Sequence, residues 1–267
     1  MRSRWTTLVF VLMMSLTASA QQGDKEKFKA RYEALPSDAD FDRHDLSGIW
    51  TQTKLDHSLG TPVPPLTPAG IAAMNGRIQD RPGVIGNAPW YTCNPMGFPR
   101  LMNDDEPMEF IITRDRILQV FQWEHRIRYL WTDGRTLPSG ENLENLGPAW
   151  YGHSVGKWEG NKLIVNTVGL EERAWLDNAA HPKSFHARIE ETWERVDSNT
   201  LENQLTLYDP EYYTAPWVSA KPQVFKLQLP IDRSIIGEEF CVPSEEEFFN
   251  ENIRNLAGAG KKVLDPK

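Results

Sequence analysis

The stretch from Trp150 to Pro210 constrains the fold most, because it reads as two consecutive β-hairpins. The first runs from Trp150 to Trp158, turns at Glu159-Gly160-Asn161 and returns as Lys162 to Val168. Gly-Asn between two β-prone runs is a hairpin signal, because its turn positions tolerate φ > 0. The second goes out from Phe185 to Val196, turns at Asp197-Ser198-Asn199-Thr200 and returns as Leu201 to Tyr208. Along it Phe185, Ala187, Ile189 and Trp193 alternate with His186, Arg188, Glu190 and Thr192. A period of two sends alternate side chains to opposite faces of a sheet.

The rest of the chain extends that pattern. Asp45 to Thr51 reads as a first strand, and Met108–Thr113, Arg116–Trp123 and Arg126–Thr132 as a three-stranded meander. Gln223 to Leu229 adds one more. Thr67 followed by Pro68 is a helix start, expected to run through Met74. Ser244 and Glu247 suggest a capping box for a helix at Pro243 to about Leu256. Residues 77–100, 136–148 and 209–221 read as loops. The expectation is an all-β fold, a single up-and-down meander of about nine antiparallel strands with a short C-terminal helix. A two-sheet sandwich is the alternative.

Four segments are expected. Residues 1–20 read as a signal peptide: Arg2 and Arg4, an apolar run from Leu8 to Met14, then Ala18-Ser19-Ala20. Residues 21–44 form a charged leader, 45–258 one barrel-like domain, and 259–267 a flexible tail. Cleavage would leave 267 − 20 = 247 residues and move the formal charge from −8 to −10, since Arg2 and Arg4 are lost. An acidic chain with no second long apolar run argues against nucleic acid and against membrane insertion. Export to the periplasm or the extracellular space makes a Cys93–Cys241 disulfide the natural state of the two cysteines, with two buried thiols as the alternative.

Gly48-x-Trp50, on the first strand, resembles the Gly-x-Trp signature of lipocalins, a family in which that Trp closes the bottom of a β-barrel. The chain also resembles an uncharacterised family of secreted bacterial β-rich proteins. The matching motifs include Cys93-Asn94-Pro95-Met96-Gly97-Phe98-Pro99-Arg100, Ser154-Val155-Gly156-Lys157-Trp158-Glu159-Gly160 and Tyr213-Thr214-Ala215-Pro216-Trp217. The resemblance implies a lipocalin-like (calycin) barrel and brings no catalytic roles with it.

Three constellations carry chemistry. Asp177, His181 and His186 are candidate catalytic residues, a carboxylate orienting an imidazole for acid/base work. With Glu190, the same residues form a candidate divalent-metal set. Against the metal, no compact motif such as HExxH is present. Arg126 and Arg128 are candidates for holding a substrate carboxylate, or else members of a charge ladder with Glu109 or Glu124. Trp150, Tyr151, His153, Trp175, Tyr208, Tyr213 and Trp217 are candidates for lining an apolar pocket, though most such aromatics serve as core. There is no Walker loop and no dinucleotide-binding glycine turn; Gly152-His153-Ser154-Val155-Gly156 matches a nucleophile elbow only in letters, since it leads into a hairpin.

The leading expectation is an exported barrel that binds a small, largely apolar or aromatic molecule. The alternatives are an enzyme of the isomerase, lyase or hydrolase type working through Asp177, His181 and His186, and an envelope interaction protein using exposed Tyr212, Tyr213 and Trp217. Ligand identity and oligomeric state are left open.

Overall fold

The computed structural model describes residues 41–54, 58–79, 86–103, 106–228 and 236–254. The expected signal peptide, leader residues 21–40 and the tail at 259–267 lie outside them.

Among the described residues, ten strands form one sheet that closes on itself. They are β1 (Gly48–Gln52), β2 (Met108–Ile112), β3 (Arg116–Phe121), β4 (Ile127–Trp131), β5 (His153–Glu159), β6 (Lys162–Val168), β7 (Arg188–Asp197), β8 (Thr200–Tyr208), β9 (Trp217–Val218) and β10 (Gln223–Leu227). Strand β10 pairs with β1 through Trp50↔Leu227 and with β8 through Phe225↔Leu201. Those two seams shut a ring of nine strands, and two-residue β9 hangs on the far half of β8. The expected barrel is therefore present.

Both hairpins form as expected. In β5–β6, Glu159 pairs with Lys162 across Gly160-Asn161, and Gly160 takes the left-handed φ of +59°. In β7–β8, Asp197 accepts bonds from Asn199 N (2.9 Å) and the Thr200 hydroxyl (2.7 Å), which close the turn. Along β7 the inward residues are Ile189, Glu191, Trp193 and Arg195, every second one, and all are buried.

One expectation needs correcting: the meander is not wholly antiparallel. Strand β5 runs parallel to β4, paired only at Leu130↔Ser154 and Trp131↔Val155. A parallel neighbour needs a crossover of a dozen residues or more, and residues 132–152 supply it. That stretch is not all loop, because Gly140–Leu146 is a helix, ended by Gly147 at φ +69° and followed by Pro148.

Among the described residues, three short α-helices accompany the barrel: α1 (Pro68–Met74), α2 (Gly140–Leu146) and α3 (Pro243–Phe249). Helix α1 is capped as expected, with Thr67 Oγ1 accepting from Gly70 N at 3.1 Å. Helix α3 lacks the expected capping box: its N-cap is Val242, with no side-chain cap bond, and Pro243 takes the first helical position. No helix among the described residues is long and apolar enough to cross a membrane.

The barrel is filled. Trp193 packs edge-on against Phe110 (5.1 Å between ring centroids) and obliquely against Phe225 (5.6 Å). Trp50 is fully buried and donates its indole N–H to Leu46 O at 2.9 Å. A segment from a distant loop enters as a plug. Phe98 lies 3.7 Å beneath the Arg128 guanidinium, Met102 Sδ takes the Gln119 amide, and Asn103 Oδ1 takes Gln223 Nε2 at 2.7 Å. Arg128, Gln119 and Gln223 are buried on β4, β3 and β10, so Phe98–Asn103 occupies space that an open barrel would leave to a ligand. Next to it, Cys93 is disulfide-bonded to Cys241, as expected.

Candidate functional site

The cleft of interest is in the barrel wall, where β4 and β5 part. Beyond Leu130↔Ser154 the two strands separate, because the chain before β5 is committed elsewhere. Ala149 N bonds Gly169 O (2.9 Å), Glu171 N bonds Ala149 O (3.0 Å) and Trp150 O receives Phe98 N (2.9 Å). Gly152 makes the turn back into β5 at φ +65°. A Cβ there would come within 2.5 Å of Thr167 Cγ2 and 2.8 Å of Val168 O.

The gap is a cleft of ≈ 500 Å³. One wall is the outward face of β4: Ile127, Tyr129 and Trp131. The other is Trp150, Tyr151 and His153, with Leu146 of α2 at the rim. Arg128 and Ser154, both almost wholly buried, meet it from the barrel side. The lining is thus chiefly apolar, four of its side chains being Trp or Tyr, with a few polar groups, the usual make-up of a small-molecule site.

Arg128 is not available to a ligand. Its Nε donates to Ser154 Oγ (3.2 Å), Nη1 to Gln119 Oε1 and Glu191 Oε1 (both 3.1 Å), and Nη2 to Thr167 Oγ1 (2.7 Å) and Glu191 Oε2. The indole N–H of Trp193 also donates to Glu191 Oε1, at 3.1 Å. Arg126 differs. It stands outside the barrel, with Nε and Nη2 both on Glu124 Oε2 at 2.8 and 2.6 Å, which realises the charge pairing weighed from the sequence.

His153 Nε2 is 3.0 Å from Gly147 O. A carbonyl only accepts, so Nε2 carries the proton of the neutral ring and Nδ1 is its acceptor. Among the described residues the buried Tyr151 hydroxyl has no hydrogen-bond partner, and burial raises its pKa further above the ordinary phenol value. It therefore remains a donor at physiological pH.

The loop between the hairpins builds a second cluster. Asp177 is fully buried; its Oδ2 is 2.7 Å from His181 Nδ1, and its Oδ1 accepts from Ala179 N and His181 N. The His181 ring packs edge-on against Trp217 at 4.9 Å. Among the described residues, His181 Nε2 has no hydrogen-bond partner. His186 stands apart from this pair. It lies ahead of β7 rather than on it, faces solvent, and is 3.8 Å from Glu144. Glu190 is on the outer face of β7, paired with Arg188 at 2.9 Å. Among the described residues no group of three or more His, Cys, Asp or Glu is placed to hold a metal ion.

The remaining aromatics take other places. Trp175 is buried in a small cluster with Ala88 and Ala180, its ring 5.0 Å from the Arg100 guanidinium. Tyr208 lies under Arg188 at 3.9 Å. Tyr213 donates to Pro182 O (2.9 Å) and Trp217 to Gly60 O (3.1 Å). Both are core residues, which corrects the expectation that they form an exposed contact patch. The cleft also uses side chains that were not among the expected contacts: Ile127, Tyr129 and Trp131 on β4, Leu146 on α2, and Arg135. Arg135 bonds Asp133, and its guanidinium covers the Trp131 ring at 3.5 Å. The alternation Ile127, Tyr129, Trp131 was the available signal, an apolar outward face on a strand whose inward face is also apolar at Leu130.

The chain matches no protein-family model, no curated protein and no solved structure. Function is therefore argued from the site's own chemistry.

Proposed function

We propose that this is an exported β-barrel protein that binds a small, largely apolar or aromatic molecule in the cleft between β4 and β5. The observation that carries the reading is the concentration of Ile127, Tyr129, Trp131, Trp150 and Tyr151 around one ≈ 500 Å³ opening. The site is the wall cleft, since aromatic side chains and the Phe98–Asn103 plug fill the barrel centre. The Cys93–Cys241 bond is consistent with an oxidising compartment.

The test uses N-phenyl-1-naphthylamine, a neutral aromatic probe whose emission rises on desolvation. Saturable binding to the wild type is expected, weakened at least about ten-fold in Trp150→Ala, the loss of one buried aromatic contact. Absence of saturable binding, or binding unaffected by Trp150→Ala and Trp131→Ala, would overturn the reading.

A second reading rests on the Asp177–His181 contact. A buried carboxylate holding one imidazole nitrogen, with the other unpartnered, is the arrangement of an oriented general acid/base. His186 has no part in it. Turnover of a small organic substrate that disappears in His181→Gln, with the fold intact by circular dichroism, would support an enzyme. Retention of that turnover would dismiss it.

A further inference from the structure

The chain is acidic, with a formal charge of −8, yet the lining of this cleft is not. Arg126, Arg128, Arg135 and His153 line the cleft, and no Asp or Glu does. With Arg128 consumed by Glu191, the cationic groups open to a ligand are Arg126 and Arg135, whose side chains are 39% and 43% exposed.

The two are held alike. Each is gripped by an acid two residues earlier, through Nε and Nη2, so that among the described residues Nη1 has no hydrogen-bond partner. They stand at opposite ends of the β4 wall, Arg126 before the strand and Arg135 after it. Arg135 lies flat on Trp131 and shapes the wall there. Arg126 has the more elaborate support. The Glu124 side chain behind it is only 6% exposed, and so fixes the guanidinium without entering the cleft. Glu124 and His125 both adopt left-handed φ, +50° and +48°, which non-glycine residues take at a cost. That backbone is pinned by His125 Nε2 on Gly237 O at 2.6 Å. The Tyr151 hydroxyl, without a hydrogen-bond partner among the described residues, lies within the electrostatic reach of both Arg126 and Glu124.

We infer that the ligand is an organic anion, a carboxylate or sulfonate on an aromatic or apolar body, with Arg126 as the residue that takes the charge. This rests on the cleft being the binding site. The body lies against Tyr129, Trp131 and Trp150, while the oxyanion accepts from Arg126 Nη1, a charge-assisted bond stronger than any neutral one the cleft offers. The buried Glu124 sets the direction of the guanidinium in advance, so little side-chain freedom is lost on binding.

The experiment compares two probes that share one aromatic frame: 1-anilinonaphthalene-8-sulfonate, an anion, and neutral N-phenyl-1-naphthylamine. The wild type is expected to bind the anion at least about ten-fold more tightly at low salt, with the margin shrinking at high ionic strength. Arg126→Gln is expected to cut that preference to within about three-fold, chiefly by weakening the anion, whereas Arg135→Gln keeps most of it. The neutral probe reports on the cleft itself in every variant. Equal affinity for the two probes in the wild type, with the neutral one still sensitive to Trp150→Ala, would overturn the anion and leave the cleft standing. Failure of both probes to bind would overturn the cleft and the anion together. Loss of the preference in Arg135→Gln but not in Arg126→Gln would overturn the assignment to Arg126.

Discussion

Arg128 and Glu191 form an ion pair sealed inside the barrel, their side chains 1% and 0% exposed. The pair joins β4 to β7 across the interior and uses every N–H of the guanidinium. Breaking it from one side strands a charge away from water, which typically costs about 3–5 kcal/mol. Arg128→Met and Glu191→Gln are each expected to lose stability on that scale in urea unfolding. The double variant Arg128→Met/Glu191→Gln is expected to lose clearly less than the sum. Additive losses would show that the two residues act independently.

Lys183 is fully buried, its ammonium on Ala174 O, and desolvation, aided by the nearby Arg77, lowers its pKa to about 7. Below about pH 7 both folded and unfolded chains hold this proton, and folding bears the whole cost of burying the cation. From about 7 up to the ordinary lysine value of 10.5, the unfolded chain binds a proton that the folded chain does not. Through that window Lys183 makes stability rise with pH, by at most about 1.4 kcal/mol per unit. Urea unfolding between pH 7 and 10 is expected to show this rise in the wild type and a flatter profile in Lys183→Met. Parallel profiles would remove Lys183 as the source.

Cys93 and Cys241 are 148 residues apart in sequence. Cross-linking so long a loop restricts the unfolded chain, worth about 5 kcal/mol in the chain-entropy model and about 2–5 in practice. Cys93→Ser/Cys241→Ser is expected to lower the denaturant midpoint accordingly. Because the bond also anchors the loop leading to the Phe98–Asn103 plug, faster hydrogen exchange is expected at Phe98 to Asn103 before global unfolding. Exchange there unchanged from the wild type would separate the plug from the disulfide.

Gly152 makes the cleft possible. Alanine there must adopt φ +65° and place Cβ within 2.5 Å of Thr167 Cγ2. Strain and overlap together are expected to cost about 2–4 kcal/mol, with weaker probe binding from a displaced Trp150. A stable Gly152→Ala variant with unchanged binding would show that the segment 149–152 tolerates another path.

What the sequence made legible was local. The two hairpins follow from period two and from turn residues whose conformations admit few alternatives. The Asp177–His181 contact is legible because four residues separate the partners. Non-local consequences were not. Nothing in residues 132–152 announces that β5 returns parallel to β4, since a crossover's direction depends on where its far end docks. The helix at 140–146 did have local signs: Ser139 before it, Leu143 and Leu146 one turn apart, then Gly147-Pro148. An inward glutamate at 191 makes sense only opposite Arg128, which is 63 residues away. For the same reason, the plug was unreadable: Phe98–Asn103 looks like an irregular loop until the wall around it exists.

The seam of the ring sets the order in which a nascent chain can become self-contained. Of the described strands, β1 is the first to emerge and needs β10, the last, on its far side. Until Gln223–Leu227 has been delivered, both β1 and β8 lack the neighbour that β10 provides, and open strand edges recruit other chains. A chain halted anywhere before residue 223 is therefore adhesive at two places rather than merely incomplete. Those edges stay open until nearly all of the barrel has been synthesised.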